Sequence, residues 1–252
     1  MSGKVYFIGA GPGDPDLLTR KAARILAAAE VVLHDALVAQ EILSLIAAGA
    51  EVRNVGKRCG RKSITQEELH ALLIGHARSG RAVVRLQGGD PLIFGRAGEE
   101  MAALRDAGIE FDIVPGVTAA SAAAAAAQIS LTNRGMASKA IFLSGHRRPV
   151  GTPFDWEALP VSDATLVIYM PGDNYEEIMS NLRAAGWPGD TPCAVVSNAS
   201  TGKQLILRTD LAALAQASEA PAPALLIVGE VTRSETRELA AAALPGTSRA
   251  KR

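Results

Sequence analysis

The chain lacks the usual signatures of a nucleic-acid-binding protein or a metalloprotein. Basic and acidic residues both number 26, so the formal net charge is zero, and aromatic residues make up only 4% of the sequence. A neutral chain with few aromatic side chains offers little to attract nucleic acid. His34, His70, His76 and His146 do not have the spacing of metal ligands. We therefore expect no nucleic-acid partner and no metal.

Cysteine and long apolar runs are also scarce. The two cysteines, Cys59 and Cys193, lie far apart in sequence, which favours free thiols in a reducing compartment. No signal peptide precedes the first predicted strand. The apolar run at residues 119–127 is about half as long as a membrane-spanning helix. These features predict a cytoplasmic protein with no membrane partner.

Predicted strands and helices alternate along the 252 residues, which favours an α/β fold with parallel sheets. The predicted strands cover residues 5–8, 31–33, 51–55, 82–86, 110–114, 140–143, 165–169, 193–197 and 224–228, with a possible edge hairpin at 205–208. The predicted helices cover residues 17–29, 40–48, 65–79, 98–107, 119–128, 175–185 and 210–217.

A junction at Pro115-Gly116-Val117-Thr118 is predicted to divide the chain into two α/β lobes, residues 1–115 and 116–244. Residues 245–252 are predicted to form a disordered tail. Because the two lobes use the whole chain, we expect no fused dehydrogenase or ferrochelatase module.

The most informative motif is Gly88-Gly89-Asp90-Pro91, which follows a predicted buried strand. The glycines allow a sharp turn and a close approach by a ligand, and α/β sheets bind ligands at the carboxyl ends of their strands. Asp90 suits a cationic or hydroxyl-rich ligand and would repel phosphate. The alternative is an ordinary turn from strand to loop.

A second glycine-rich loop, Gly9-Ala10-Gly11-Pro12-Gly13, follows the first predicted strand and partly matches a dinucleotide-binding loop. It departs from that pattern because Pro12 has no N–H and the third glycine is missing. Asp14 and Asp16 also place negative charge where a pyrophosphate would lie. Two acidic strand-end loops together predict a ligand with a positive charge and a ribose, and S-adenosylmethionine fits that description.

Motifs spread in order over nearly the whole chain resemble those of the tetrapyrrole methylase superfamily and, within it, the uroporphyrinogen-III C-methyltransferases. They are Gly9-Ala10-Gly11-Pro12-Gly13-Asp14-Pro15, His34-Asp35-Ala36-Leu37-Val38, Val55-Gly56-Lys57-Arg58, Gly88-Gly89-Asp90-Pro91 with Phe94-Gly95-Arg96, Pro115-Gly116-Val117-Thr118-Ala119, Leu131-Thr132-Asn133-Arg134-Gly135, Tyr169-Met170, Ala194-Val195-Val196 and Gly229-Glu230-Val231.

The resemblance implies the two-lobed fold of the class III methyltransferases, with the methyl donor in the cleft between the lobes, and a homodimer. It implies two successive methyl transfers from S-adenosylmethionine to pyrrole carbons C2 and C7 of uroporphyrinogen III. The products would be S-adenosylhomocysteine and precorrin-2, which feeds siroheme, cobalamin or heme d1 synthesis.

The resemblance also implies roles for individual residues. Asp35 and Lys57 would form an acid–base pair, and in some relatives the arginine matching Arg96 assists proton removal. Substrate contacts carry over onto Arg96, Glu99 and Arg134. Donor contacts carry over onto Pro12, Gly88, Gly89, Asp90, Ile93, Thr118, Ala119, Met170 and Ala199.

A substrate rich in carboxylates requires a basic cleft, and arginine binds a carboxylate through two parallel hydrogen bonds. Besides the isolated Arg96 and Arg134, two clusters of basic residues are candidates: one contains Lys57, Arg58, Arg61 and Lys62, and the other contains Arg147 and Arg148. The alternative for each group is a solvated loop. The alternative to a catalytic role for Asp35 is that it caps the next helix. The alternative to a donor contact for Met170 is that it packs in the hydrophobic core.

The chain departs from the family pattern at three places. Asn133 stands where histidine is usual, Pro171 follows Met170, and Ser197-Asn198-Ala199-Ser200 replaces a more usual Glu-Asn-Gly-Thr. These changes bear on the identity of the acceptor more than on the donor.

Two other functions stay open. The same fold and donor could serve a later corrin precursor, an rRNA ribose or a diphthine-type protein acceptor. A nucleotide-binding oxidoreductase, or a non-catalytic nucleotide-binding module, is the alternative from another class. Calorimetry with S-adenosylhomocysteine against NAD separates them, because binding of NAD alone would remove both methyltransferase hypotheses.

Asp90→Asn is expected to weaken donor binding strongly, because the change removes a negative charge beside a cationic ligand. Calorimetric titration of the variant with S-adenosylmethionine measures the effect. An unchanged affinity would contradict the assignment of Asp90 to the donor site.

Overall fold

Two five-stranded sheets organise the structure, a computed structural model that describes residues 3–56, 64–145 and 154–233. The strands of the first sheet are β1 Val5–Gly9, β2 Val31–His34, β3 Glu51–Asn54, β4 Val83–Gln87 and β5 Phe111–Val114. Those of the second are β6 Ala137–Ser144, β7 Asp163–Tyr169, β8 Pro192–Ser197, β9 Leu205–Asp210 and β10 Ala224–Val228. The α-helices are α1 Arg20–Leu26, α2 Gln40–Leu43, α3 Gln66–Arg78, α4 Ala97–Asp106, α5 Ala119–Ala126 and α6 Tyr175–Ala184.

The first sheet is fully parallel, in the order β3-β2-β4-β1-β5. Its central strands β1, β2 and β4 are buried because helices cover both faces, as their nearly continuous apolar sequences predict. Helices α3 and α4 pack on one face through side chains such as Leu73 and Leu104, and α1 and α2 pack on the other through Leu26 and Ile42. All five carboxyl ends therefore meet at one edge.

The second sheet is mixed, in the order β6-β7-β10-β8-β9. Only β6 and β7 pair in parallel, and the other three pairs are antiparallel. The expectation of parallel sheets throughout is therefore wrong here. The loop from β8 to β9 is too short for the crossover that a parallel neighbour requires, so the predicted edge hairpin forms instead.

Three predicted helices differ from the observed elements. The predicted helix at 17–29 is a 3-10 helix, Pro15–Leu17, followed by α1, because Thr19 caps α1 by accepting a hydrogen bond from the Ala22 N–H (3.2 Å). The predicted helix at 40–48 ends early, as α2. The helix predicted after Asp210 is the 3-10 helix Leu214–Glu219.

The sequence Thr65-Gln66-Glu67-Glu68 predicts a capping box at the start of α3, and the structure confirms it. The Glu68 N–H donates to the Thr65 hydroxyl (3.1 Å), and the Thr65 N–H donates to the Glu68 carboxylate (2.7 Å). Helix α3 is the longest α-helix that the described ranges contain. None of their helices combines the length and apolar character needed to cross a bilayer.

Candidate functional site

The loops that follow β1, β4 and β5 meet at the carboxyl edge of the first sheet. Gly11 and Gly89 exchange backbone hydrogen bonds of 3.1 and 2.8 Å. A Cβ atom on Gly9 would lie 2.5 Å from the Gly116 nitrogen, and one on Gly116 would lie 2.2 Å from the Gly89 oxygen. Glycine is therefore needed at Gly9 and Gly116, because the backbones of three loops occupy the space of a side chain.

Asp90 joins two of these loops through both of its carboxylate oxygens. Oδ1 accepts a hydrogen bond from the Leu92 N–H (2.8 Å), and Oδ2 accepts one from the Gly116 N–H (3.0 Å). The sequence predicts only a ligand contact for Asp90. In the structure its carboxylate also holds the loop after β4 against the loop after β5.

Tyr169, at the end of β7, links the second sheet to this edge. Its hydroxyl is 2.6 Å from the Thr118 hydroxyl and accepts a hydrogen bond from the Ala120 N–H (3.2 Å), at the start of α5. Its ring lies 4.8 Å, centroid to centroid, from that of Phe94 in the loop after β4. Burial raises the pKa of Tyr169, and the nearby charge of Asp90 acts in the same direction, so the phenol stays protonated.

The loop after β8 approaches the glycine-rich loop after β1. A Cβ atom on Gly13 would lie 2.6 Å from Cγ2 of Thr201 and 3.9 Å from the Ala199 oxygen. The Asp14 N–H donates a hydrogen bond to the Ser200 hydroxyl (3.4 Å). The neighbours of Pro12 therefore face the loop that contains Ala199.

These contacts place most of the residues predicted for the donor around one region between the sheets. Ile93, Ala119 and Ala199 pack against the same hydrophobic cluster of the second sheet. A Cβ atom on Gly89 would lie 3.7 Å from the Ala119 nitrogen and 4.0 Å from Thr118 Cα. Met170 follows Tyr169 directly, with φ of 51° and 48% of its surface exposed, so it is not core filler.

A buried arginine adjoins this region. Arg85, the third residue of β4, is 5% exposed, and its Nη2 atom lies 2.6 Å from Oδ1 of Asp35. Its Nε atom lies 2.9 Å from Oε2 of Glu100, which is fully buried. Burial alone would lower the pKa of Arg85, but the two carboxylates raise it above its usual value. The guanidinium is therefore charged and holds the Asp35 carboxylate in place.

This arrangement shows that Asp35 does not cap the following helix. The N-cap of α2 is Ala39, and the Asp35 carboxylate binds Arg85 instead. Arg85 and Glu100 are not among the predicted site residues, although the sequence carries a signal for both. Arg85 interrupts an apolar strand, and Glu100 lies three residues after Ala97 and four before Leu104, on the buried side of α4.

A pocket of about 230 Å³ lies between the buried arginine and the loop after β4. Asp35, Gln87, Phe94 and Arg96 line it. A Cβ atom on Gly88 would lie 3.4 Å from Cβ of Leu37, which also lines the pocket, so the pocket adjoins the predicted donor loop.

Part of the pocket wall leads to residues that the structure does not describe. Gly56 and Ile64 line the pocket and flank residues 57–63. The predicted catalytic Lys57 and the basic residues up to Lys62 fall in that range. Arg147 and Arg148 also lie outside the described residues.

The three predicted substrate contacts fall in two places. Arg96 lines the pocket and forms an exposed ion pair with Glu99, with Nε–Oε1 and Nη2–Oε2 distances of 3.2 and 3.0 Å. Such a pair is weak, so Arg96 can exchange Glu99 for a ligand carboxylate. Arg134 lies instead in a second pocket of about 250 Å³ with Asn133 and Asp163, and the two pockets share no lining residue.

Residues 4–215 match the family model of the tetrapyrrole (corrin/porphyrin) methylases. The chain is 47% identical over 233 residues to siroheme synthase 1 of Klebsiella pneumoniae and 45% identical over 236 residues to siroheme synthase 2 of Aeromonas hydrophila. These matches cover 92% and 93% of the chain but 50% of each relative. The chain therefore spans about half the length of the curated relatives it matches.

Two solved structures are also similar. A uroporphyrin-III C-methyltransferase from Thermus thermophilus, in complex with S-adenosylhomocysteine, has a TM-score of 0.78 at 41% identity, covering 91% of this chain and 98% of that one. A cobalt-precorrin-4 methyltransferase, a cobalamin biosynthetic enzyme, has a TM-score of 0.83 at 33% identity, covering 92% and 96%. Fold similarity and sequence identity rank the two in opposite order.

Arg85→Met is expected to lower the free energy of unfolding by about 3–5 kcal/mol, because Glu100 would remain buried without a cation. The double variant Arg85→Met with Glu100→Leu should recover most of this loss. Urea denaturation measures both. Arg81→Met is the matched control: Arg81 pairs with Glu51 at 2.7 Å near the surface, and its loss should cost about 1 kcal/mol or less. Equal costs for the two single variants would contradict the role given to Arg85.

Proposed function

The chain belongs to the tetrapyrrole (corrin/porphyrin) methylases, and we propose that it transfers two methyl groups from S-adenosylmethionine to C2 and C7 of uroporphyrinogen III, giving precorrin-2. The observation that carries this proposal is the position of the first pocket, lined by Asp35 and Arg96, which adjoins the loop from Gly88 to Asp90. A methyl donor and a methyl acceptor need neighbouring sites of this kind.

The loops of the carboxyl edge fit the proposed donor. Gly88 and Gly89 leave room for a close approach, and Asp90 gives negative charge beside a sulfonium. The acids at 14 and 16 and the missing N–H of Pro12 disfavour a pyrophosphate, which weighs against an oxidoreductase. The relative solved with S-adenosylhomocysteine supports the same donor and product.

The donor supplies an electrophilic methyl group, so the reaction requires an aligned carbon nucleophile. Asp35, oriented by Arg85, would stabilise the positive charge that develops on the pyrrole ring, and would accept the proton that the adjacent methylene bridge then loses. We assign Lys57 as the second member of the acid–base pair with Asp35. Arg96 would bind a substrate carboxylate at the mouth of the pocket, in exchange for Glu99.

A later corrin precursor is the second candidate acceptor. The observation that favours it is the TM-score of 0.83 to the cobalt-precorrin-4 methyltransferase. The higher identity to the uroporphyrin-III enzyme, 41% against 33%, favours uroporphyrinogen III. The names of the curated relatives support a siroheme route for the product, with cobalamin and heme d1 as alternatives.

We also propose that the protein is a homodimer, on the basis of the sequence resemblance, and that it is cytoplasmic, on the basis of its two widely separated cysteines. Light scattering coupled to size-exclusion chromatography tests the oligomeric state. A monomer at micromolar concentration would contradict this part of the proposal.

Incubation with uroporphyrinogen III and labelled S-adenosylmethionine, followed by mass analysis, tests the acceptor. We expect two added methyl groups and S-adenosylhomocysteine as co-product. A chain that binds the donor but methylates a cobalt-precorrin in place of uroporphyrinogen III would overturn the proposed acceptor and keep the donor.

Arg134→Ala is expected to lower kcat/KM for uroporphyrinogen III by about 10- to 100-fold, the effect of losing a hydrogen-bonded charge pair. The affinity for S-adenosylmethionine should stay within about twofold, because Arg134 lies outside the predicted donor contacts. Steady-state kinetics and calorimetry give the two values. If both fall together, Arg134 has a structural role.

A further inference from the structure

Gln87, the last residue of β4, has an unused acceptor at the wall of the first pocket. Its side chain is 3% exposed, and its Oε1 atom has no hydrogen-bond donor among the described residues. Four other described residues have a buried side-chain atom in the same state, and none of them lines either pocket: Thr165, Tyr175, Trp187 and Ser197. Gln87 therefore combines an unmet hydrogen bond with a place in the pocket.

The backbone of Gln87 is fixed while its amide is not. The backbone carbonyl oxygen of Gln87 accepts a hydrogen bond from the Ala10 N–H (2.7 Å), and β4 pairs with β1 on one side and β2 on the other. No hydrogen bond to a described residue holds its Nε2 atom. Rotation about the last side-chain bond exchanges the two amide atoms, since this torsion is broad and nearly two-fold. The oxygen can thus turn to a ligand in the pocket.

The neighbours of Gln87 define the ligand chemistry. Residues Arg85 and Gln87 lie on the same face of β4, because side chains alternate along a strand. Asp35 joins that face from the next strand, since its N–H donates to the Leu86 oxygen (3.0 Å). Once the amide has rotated, the inner wall would offer both a carboxylate and an amide oxygen, and Arg96 supplies a cation elsewhere in the lining. A ligand with internal N–H donors and carboxylates at its rim matches this pattern.

We propose that Gln87 Oε1 accepts a hydrogen bond from the pyrrole N–H of the ring that is methylated, an inference that rests on the proposed function. As the ring carbon forms its bond to the methyl group, positive charge spreads over the ring and its N–H becomes a stronger donor. An acceptor placed there stabilises the transition state more than the ground state. Gln87 takes up no proton. The methylated carbon carries no hydrogen, so the proton is lost from the adjacent methylene bridge and goes to Asp35, while the N–H proton stays on the ring nitrogen.

The test replaces the amide with an apolar chain of similar length, Gln87→Met. We expect kcat/KM for uroporphyrinogen III to fall by about 10- to 100-fold, with the affinity for S-adenosylmethionine within about twofold of the original. The Tm should stay the same or rise by about 2–4 °C, because the change removes a buried acceptor without a partner. Gln87→Leu repeats the test if the methionine variant does not fold.

Thr165→Val is the matched control, since it also removes a buried unpaired oxygen but Thr165 lines neither pocket. It should keep or raise the Tm and leave kcat/KM unchanged. A fall in Tm together with a loss of donor affinity in Gln87→Met would make Gln87 a structural residue and overturn the inference, as would unchanged turnover. The unchanged protein separates failure of this inference from failure of the proposed function. If it methylates uroporphyrinogen III and the Gln87 variant does so equally well, only the inference fails; if it does not methylate uroporphyrinogen III, the proposed function fails.

Discussion

A guanidinium enclosed by two carboxylates fixes the geometry on which the rest of the site depends. Arg85 connects the middle of β4 to the end of β2 through Asp35 and to α4 through Glu100. Charges buried in this way are costly unless each has a partner, so the three side chains constrain one another. The constraint places the Asp35 carboxylate at the pocket wall and sets α4 against the sheet, which in turn fixes the loop that contains Phe94 and Arg96.

The second sheet meets this edge through a small number of specific contacts. Tyr169 bonds to the start of α5 and lies against Phe94. Within the edge of the first sheet itself, close backbone contacts join Gly9 and Gly116. Glycine contacts of this kind leave no room for adjustment, because backbone atoms occupy the positions where side chains would be. Backbone atoms therefore set much of the shape of the predicted donor site. Such a shape changes little with side-chain substitution, which suits a site that always binds the same donor.

Local sequence signals predicted much of the fold and part of the site. The apolar strands, the capping box at Thr65 and the two glycine-rich acidic loops could all be identified, because short-range patterns determine them. Strands were predicted at 205–208 and 224–228, but the antiparallel pairing of β10 with β7 and β8 was not, because pairing direction depends on connection length and on contacts distant in sequence. The ion pairs of Arg85 with Asp35 and Glu100 were not predicted for a similar reason, since the relative positions of the three side chains follow from strand order and helix packing rather than from sequence spacing.

One short strand serves both halves of the proposed reaction. Gln87 faces the acceptor pocket, and the next residue, Gly88, begins the loop assigned to the donor, so their Cα atoms are about 3.8 Å apart by covalent geometry alone. On the proposed assignment, this part of the alignment of the two reactants does not depend on the position of the second sheet. It is set by a single peptide unit, in a strand that is hydrogen-bonded to a neighbour on each side. A backbone shift at either site would therefore also move the other.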